Sequence, residues 1–132
     1  MESLLYVGVG GFCGANARYL LSLWVNEFLS PRFGLFPYGT LLVNVLGSLG
    51  LAVFGVWFSA RAGLSAQLQW LIGAGFFGAF TTFSTFANES IDLASRGGMA
   101  QMLLNLLLNN AACLLAVALG LWLGQRLFGL GG

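Results

Sequence analysis

Four long runs of apolar residues, separated by short polar segments, account for nearly the whole sequence. The runs extend over about residues 4–25, 38–58, 68–86 and 99–123. About 20 apolar residues in a helix cross a hydrocarbon core of about 30 Å, so each run is long enough to span a membrane. Backbone groups in lipid must be hydrogen-bonded within the protein, which favours helices. We therefore predict an all-α integral membrane protein with four transmembrane helices, in which residues 1–132 form one domain.

The composition excludes several classes of function. Charged residues make up 7% of the chain and hydrophobic residues 58%, whereas soluble domains carry about 25% charged residues. The chain has no histidine, which excludes catalysis by that residue. A net charge of +1 is too small for the basic surface of a nucleic-acid-binding protein. Neither an enzyme nor a partner of nucleic acid is expected.

Small side chains inside the runs are predicted to serve helix packing. Residues of this kind stand four apart in three pairs, which are Gly10 and Gly14, Ser48 and Ala52, and Gly120 and Gly124. Such spacing lets the backbones of two helices approach closely. Cys13 and Cys113 lie in separate apolar runs without a CxxC motif, so they are predicted to be packing residues as well.

The first run contains one charge, Arg18, and is followed by a segment of turn residues. Residues 26–37 include Pro31, Gly34 and Pro37, and they are predicted to form a loop. An unpaired arginine in a bilayer costs about 2.5 to 3.5 kcal/mol, so Arg18 has to snorkel, pair or face protein. Two interpretations stay open at this point. Arg18 either snorkels to the interface, or it holds helix ends or draws anions toward a vestibule.

The arginines outside the runs are divided equally between the two sides of the membrane. With four spans, Arg61 and Arg126 lie on one side, and Arg32 and Arg96 lie on the other. Orientation normally follows an excess of Lys and Arg in the cytoplasmic loops. The balance predicts that the chain inserts in both orientations and pairs with an inverted copy of itself. A fixed orientation, set by a subtler bias, is the alternative.

The third run contains the segment that is least compatible with a continuous helix. Its glycines are Gly73, Gly75 and Gly78, and its hydroxyl residues are Thr81, Thr82, Ser84 and Thr85. Because glycine weakens a helix, we predict a break in this run. Irregular backbone at membrane depth is tolerated only inside protein or beside a watery cavity. Freed carbonyls would suit a small cation, whereas freed amides and hydroxyls would suit an anion.

Aromatic and amide side chains inside the runs allow two interpretations each. Phe83 and Phe86 stand three apart and share a helical face, so they either pack or present their positive ring edges to a small anion. Polar residues inside the second and fourth runs include Asn44, Asn105, Asn109 and Cys113. The last three recur every four residues and form a stripe along one face of a helix. Such groups either join helices or replace the water of a passing ion.

Three motifs occur in order along the chain. They are Gly-Gly-x-x-Gly-Ala-x-x-Arg-Tyr at 10–19, Gly-Thr-x-x-Val-Asn-x-x-Gly at 39–47, and Gly-x-x-Gly-x-x-Thr-Thr-Phe-Ser-Thr-Phe at 75–86. With these motifs in a four-span chain of this length, the sequence resembles the small bacterial fluoride channels called Fluc or CrcB proteins. The resemblance covers nearly the whole chain. It implies a channel that exports cytoplasmic fluoride passively and protects against fluoride toxicity.

The resemblance also implies an assembly and a set of site residues. The expected assembly is an antiparallel homodimer in the bacterial inner membrane, with two fluoride pores and a structural sodium ion at its centre. By their motif positions, the residues expected along the pore are Phe83, Phe86, Asn44, Thr82, Ser84 and Thr85, with Asn105, Asn109 and Cys113 on a polar track of the fourth helix. Backbone carbonyls of Gly78 and Thr81 match the sodium ligands.

The sequence departs from the family pattern at two places, and one other class of protein competes. Ala79 stands where a second glycine is common, and amides and a thiol occupy a track that often carries Tyr, Ser or Thr. The alternative function is a small multidrug exporter, which also has four spans and dual topology. That class carries a glutamate within its first helix, whereas this chain has Arg18 there and no acid between Glu2 and Glu27.

Overall fold

The computed structural model describes residues 1–129. Within this range the chain forms five helices and no strand, which confirms the all-α prediction for the described residues. The helices are α1 (Glu2–Phe33), α2 (Tyr38–Ser59), α3 (residues 66–80), α4 (Phe83–Ser95) and α5 (Met99–Phe128). The most extensive packing is that of α2 against α5 and of α1 against α3.

The first helix continues well beyond the predicted span. The prediction of a loop over 26–37 is wrong for its larger part, because α1 ends only at Phe33. Pro31 lies in the last turn and, having no N–H, cannot donate the helical hydrogen bond to the Glu27 carbonyl. Gly34 then adopts a left-handed φ of 85° and donates its N–H to the Ser30 carbonyl at 3.0 Å, which ends the helix.

Three helical stretches of the described chain are long and apolar enough to cross a membrane. They are Tyr38–Ser59, Ala66–Ser95 and Met99–Phe128. The 32 residues of α1 are also sufficient in length, but this helix carries Glu2, Arg18, Glu27 and Arg32 and is less apolar. The span of α1, and with it the count of four, stays a prediction.

The third helix is wound unusually for most of its length. Residues Gln69–Phe77 form a π-helix between short α-helical segments, Ala66–Leu68 and Gly78–Phe80. The α1 backbone lies directly against it, because a Cβ added to Gly10 or Gly14 would collide with the backbone carbonyl of Leu71 or Phe76. This close approach confirms the packing role predicted for the first pair of small residues.

The helical geometry stops for two residues inside the stretch Ala66–Ser95. Thr81 has φ −86° and ψ 155°, and Thr82 has φ −151° and ψ 117°, so both are extended. Helix α4 begins immediately afterwards at Phe83, with Thr82 as its N-cap. The Thr82 Oγ1 accepts a hydrogen bond from the Thr85 N–H at 3.3 Å, as a capping threonine does.

Candidate functional site

A cleft of 460 Å³ lies beside the two extended threonines, between α2, α4 and α5. Most of its wall is apolar, with leucine, valine and alanine side chains from α2 and α5. Six of the residues expected along the pore line it, and these are Asn44, Thr82, Phe83, Phe86, Asn109 and Cys113. Three others, Ser84, Thr85 and Asn105, are outside its lining.

The two phenylalanines at the cleft differ sharply in burial. The Phe86 side chain is 4% exposed and is therefore fixed by its surroundings, whereas Phe83 is 76% exposed. Their ring centroids are 5.5 Å apart and the ring planes meet at 65°, an edge-to-face arrangement. In this geometry one ring edge, which carries partial positive charge, points at the face of the other.

Asn44 holds the extended segment by both backbone groups of Thr82. Its Oδ1 accepts the Thr82 N–H at 2.8 Å, and its Nδ2 donates to the Thr82 carbonyl at 3.1 Å. The same Nδ2 also donates to Asn109 Oδ1 at 3.0 Å. An extended residue between two helices has no helical partner for its N–H, so this amide replaces the missing hydrogen bond.

The amides of α5 are joined to one another and to α4. Asn109 Nδ2 donates to Asn105 Oδ1 at 2.8 Å, and Asn105 Nδ2 donates to Ser90 Oγ at 2.9 Å. Ser90 is 2% exposed, and its hydroxyl donates to the Phe86 carbonyl at 2.7 Å. Ser90 is absent from the residues expected along the pore. Its position four residues after Phe86 is the sequence signal that could have identified it.

The first turn of α4 presents donors next to the cleft. The N–H groups of Phe83 and Ser84 stand at a helix N-terminus, where intrahelical acceptors are lacking and the helix dipole favours an anion. The Thr82 hydroxyl donates to Thr85 Oγ1 at 3.0 Å. Thr85 is therefore the acceptor in that contact.

Two carbonyls at the end of α3 lose their helical partners. The Thr82 N–H, which a continuous helix would direct to Gly78, donates to Asn44 instead. The Thr85 N–H, which would reach Thr81, donates to the Thr82 hydroxyl. The carbonyl of Ala79 accepts a hydrogen bond from Arg18 Nε at 3.2 Å. Arg18 therefore contacts the end of a helix, in agreement with one of its two interpretations.

A second polar contact between α2 and α4 involves an acidic residue, Glu89, that the sequence did not point to. Thr40 donates its hydroxyl to Glu89 Oε1 at 2.9 Å, while Glu89 Oε2 is buried without a hydrogen-bond partner among the described residues. The third apolar run was predicted to end at Phe86. The helical stretch continues to Ser95, which brings Glu89 into the protein.

Sequence comparisons identify relatives along almost the whole chain. The family described as "CrcB-like protein, Camphor Resistance (CrcB)" matches residues 5–121. The fluoride-specific ion channel FluC of Shewanella sp. (strain ANA-3) is 46% identical over 120 residues, which cover 91% of this chain and 94% of that protein. The FluC protein of Bacteroides fragilis (strain YCH46) is 40% identical over 126 residues, covering 96% and 98%.

A third relative extends the same pattern. The fluoride-specific ion channel FluC of Shewanella denitrificans is 42% identical over 120 residues, with the same coverage of 91% and 94%. The family match spans most of the chain, and each of these proteins corresponds to it almost from end to end. The chain belongs to the CrcB-like family.

Proposed function

We propose that this chain forms a fluoride-selective ion channel that exports cytoplasmic fluoride down its electrochemical gradient. The observation that carries the proposal is the cleft beside Thr81 and Thr82, lined by Phe83, Phe86 and Asn44 in a chain whose relatives are named as fluoride channels. Family membership favours this function over the multidrug exporter. It is an ion-channel function and requires no enzymatic step.

The chemistry of fluoride explains why a passive pore is sufficient. Hydrogen fluoride is a neutral weak acid that crosses membranes and ionises inside the cell, where the pH is higher. The trapped anion is then driven outward by the membrane potential. A selective pore in the bacterial inner membrane therefore lowers the internal concentration and protects the cell without consuming energy.

Neutral donors around the cleft suit a small anion that has shed its water. The edges of Phe83 and Phe86 carry partial positive charge, and the N-terminus of α4 directs its N–H groups toward negative charge. None of these groups carries a full charge. The anion is stabilised without being bound so tightly that it cannot leave.

The proposed assembly is an antiparallel homodimer of a four-span chain, with two pores. It is supported by the equal division of arginines between the two sides of the membrane. It is also supported by the 76% exposure of Phe83, a pore residue that a second copy could cover. A tag on the C-terminus tests the inverted pairing. Detection of the tag on both faces of the membrane is expected, and detection on one face in every molecule would contradict it.

The residues present fit the structural sodium ion of the family. The carbonyls of Gly78 and Thr81 are released from helical hydrogen bonds, and neutral oxygens are suitable ligands for a hard monovalent cation. Gly78 is exposed, and a Cβ at this position would meet no atom within 4 Å. Two copies could therefore bring these carbonyls together. A sodium ion held there would supply one positive charge at the dimer centre.

Growth of a bacterium that lacks its own fluoride channel tests the function in cells. Expression of the wild-type chain is expected to restore growth in medium containing fluoride at a concentration that stops the parent strain. Expression of Phe83→Ile at the same level is expected to fail, because the exposed ring that faces the cleft is lost. Equal growth with an empty vector and with the wild-type chain would contradict the proposed function.

A further inference from the structure

Five hydrogen bonds connect the extended segment to the first turn of α4 through side chains of three helices. From donor to acceptor they run from Thr82 N–H to Asn44 (2.8 Å), from Asn44 to Asn109 (3.0 Å), from Asn109 to Asn105 (2.8 Å), from Asn105 to Ser90 (2.9 Å) and from Ser90 to the Phe86 carbonyl (2.7 Å). We call this series the amide relay. It begins one residue before Phe83 and ends at Phe86.

All five hydrogen bonds of the amide relay point in the same direction. Each asparagine accepts at Oδ1 from the preceding member, or from the Thr82 backbone, and donates from Nδ2 to the next. Reversal of the Asn109 side chain would set its Nδ2 against the Nδ2 of Asn44 and its Oδ1 against the Oδ1 of Asn105. The direction of the series is therefore fixed by its two ends, because the Thr82 N–H can only donate and the Phe86 carbonyl can only accept. Hydrogen bonds aligned in this way polarise one another.

The amides of the relay have little left to offer a passing anion. Asn44 Nδ2 donates to oxygens of Thr82 and Asn109. Asn109 Nδ2 donates to Asn105 Oδ1 at 2.8 Å and lies 3.4 Å from the Asn105 carbonyl oxygen. Asn105 itself is 0% exposed and does not line the cleft. An anion that sheds its water requires free donors, and the Nδ2 groups of Asn44 and Asn109 already donate to protein oxygens.

We infer that the amide relay positions the phenylalanine pair, and that Asn105, Asn109 and Ser90 are positioning residues in this chain rather than ligands of the ion. The relay holds the backbone on both sides of Phe83, at Thr82 through Asn44 and at Phe86 through Ser90. The angle between the two rings then depends on groups that never touch the ion. The inference rests on the proposed function only where fluoride flux is measured.

The first test examines the relay without reference to transport. Ser90→Ala removes its last member, and Ser95→Ala is the matched control, since Ser95 lies on the same helix and its exposed hydroxyl bonds only the Asp92 carbonyl. Protein labelled with ¹⁵N-asparagine in detergent reports the side-chain amides by NMR. Ser90→Ala is expected to shift the signals of Asn105, Asn109 and Asn44, whereas Ser95→Ala shifts none of them. A shift confined to Asn105 would overturn the relay.

The second test separates positioning from ligation by the concentration dependence of flux in liposomes. With Ser90→Ala or Asn105→Leu, maximal fluoride flux is expected to fall roughly three- to tenfold, the scale of one buried hydrogen bond, at an unchanged half-saturating fluoride concentration. Ser95→Ala is expected to behave as wild type. A changed half-saturating concentration with unchanged maximal flux would identify ion ligands and overturn the inference, as would wild-type behaviour of both variants.

A second variant at position 90 is available, and the NMR result does not depend on transport. If Ser90→Ala does not yield folded protein, Ser90→Cys replaces the hydroxyl by a weaker hydrogen-bonding group of similar size, and the same NMR comparison applies. Propagated shifts support the relay, and a shift confined to Asn105 overturns it. If the wild-type protein itself carries no fluoride, the proposed function fails, while the NMR result still decides whether the relay exists.

Discussion

Replacement of Phe83 by isoleucine should reduce fluoride flux at least tenfold at a small cost in stability. Full burial of a phenylalanine contributes about 1.5–3 kcal/mol. Within one copy Phe83 is 76% exposed, so contacts inside the chain account for only about a quarter of that contribution. Loss of the edge-to-face contact with Phe86 adds about 0.5–1.5 kcal/mol. The sum is about 1–2 kcal/mol, and isoleucine recovers part of it by filling most of the same volume.

The expected loss of flux does not come from unfolding, because a loss of about 1–2 kcal/mol from a typical stability of about 5–15 kcal/mol leaves the protein folded. Fluoride efflux from liposomes should fall at least tenfold, since the aliphatic side chain lacks a positive edge to face the anion, and about 1.4 kcal/mol corresponds to a tenfold change in rate. The unfolding temperature and the oligomeric state in detergent are measured on the same preparation.

Phe86→Ile is the comparison for the same assay. Its ring is 4% exposed, so a change of shape there disturbs packed neighbours and should cost about 1–3 kcal/mol more in stability than the change at Phe83. Wild-type flux in both folded variants would refute the assignment of the pair to the pore. If Phe83→Ile loses both flux and the assembled protein, the prediction that this substitution costs little stability is refuted.

Three further outcomes follow from the same contacts. Asn44→Leu leaves the Thr82 N–H and carbonyl unpaired and should lower the free energy of unfolding, measured by denaturation, by about 2–3 kcal/mol. An unchanged unfolding curve would refute this role of Asn44. A small thiol reagent should slow efflux through Cys113 in the cleft, so that Cys113→Ser resists it and Cys13→Ser does not; the reverse pattern would remove Cys113 from the pathway. Gly14→Val should prevent folding because its Cβ would meet the Phe76 backbone, while Gly8→Ala, in open space, should fold normally; equal yields would refute the close packing.

The helical character of the chain was predictable from the sequence, since long apolar runs form helices in lipid. The end of α1 was not. Pro31 and Gly34 are both turn residues, and the sequence pattern gives no means of knowing that the helix tolerates the first and ends at the second. The π-helix over Gln69–Phe77 was also missed.

The site was predictable in its residue types but not in its contacts. The stripe of Asn105 and Asn109 follows from a spacing of four residues, yet the same spacing serves an ion track or a hydrogen-bond network equally well. Only the positions of Ser90 and Asn44, on two other helices, distinguish the two. Contacts between side chains on different helices depend on how the helices pack, and the sequence pattern does not specify that packing.

We expect this single chain to make a selective passive pore for fluoride. This claim is tested most directly by fluoride efflux from liposomes that contain the purified protein, recorded with a fluoride electrode after valinomycin releases the potassium counter-current, with chloride as the control anion. We predict rapid fluoride efflux and no chloride leak. Absence of fluoride efflux from folded, reconstituted protein, or equal efflux of chloride, would contradict the claim.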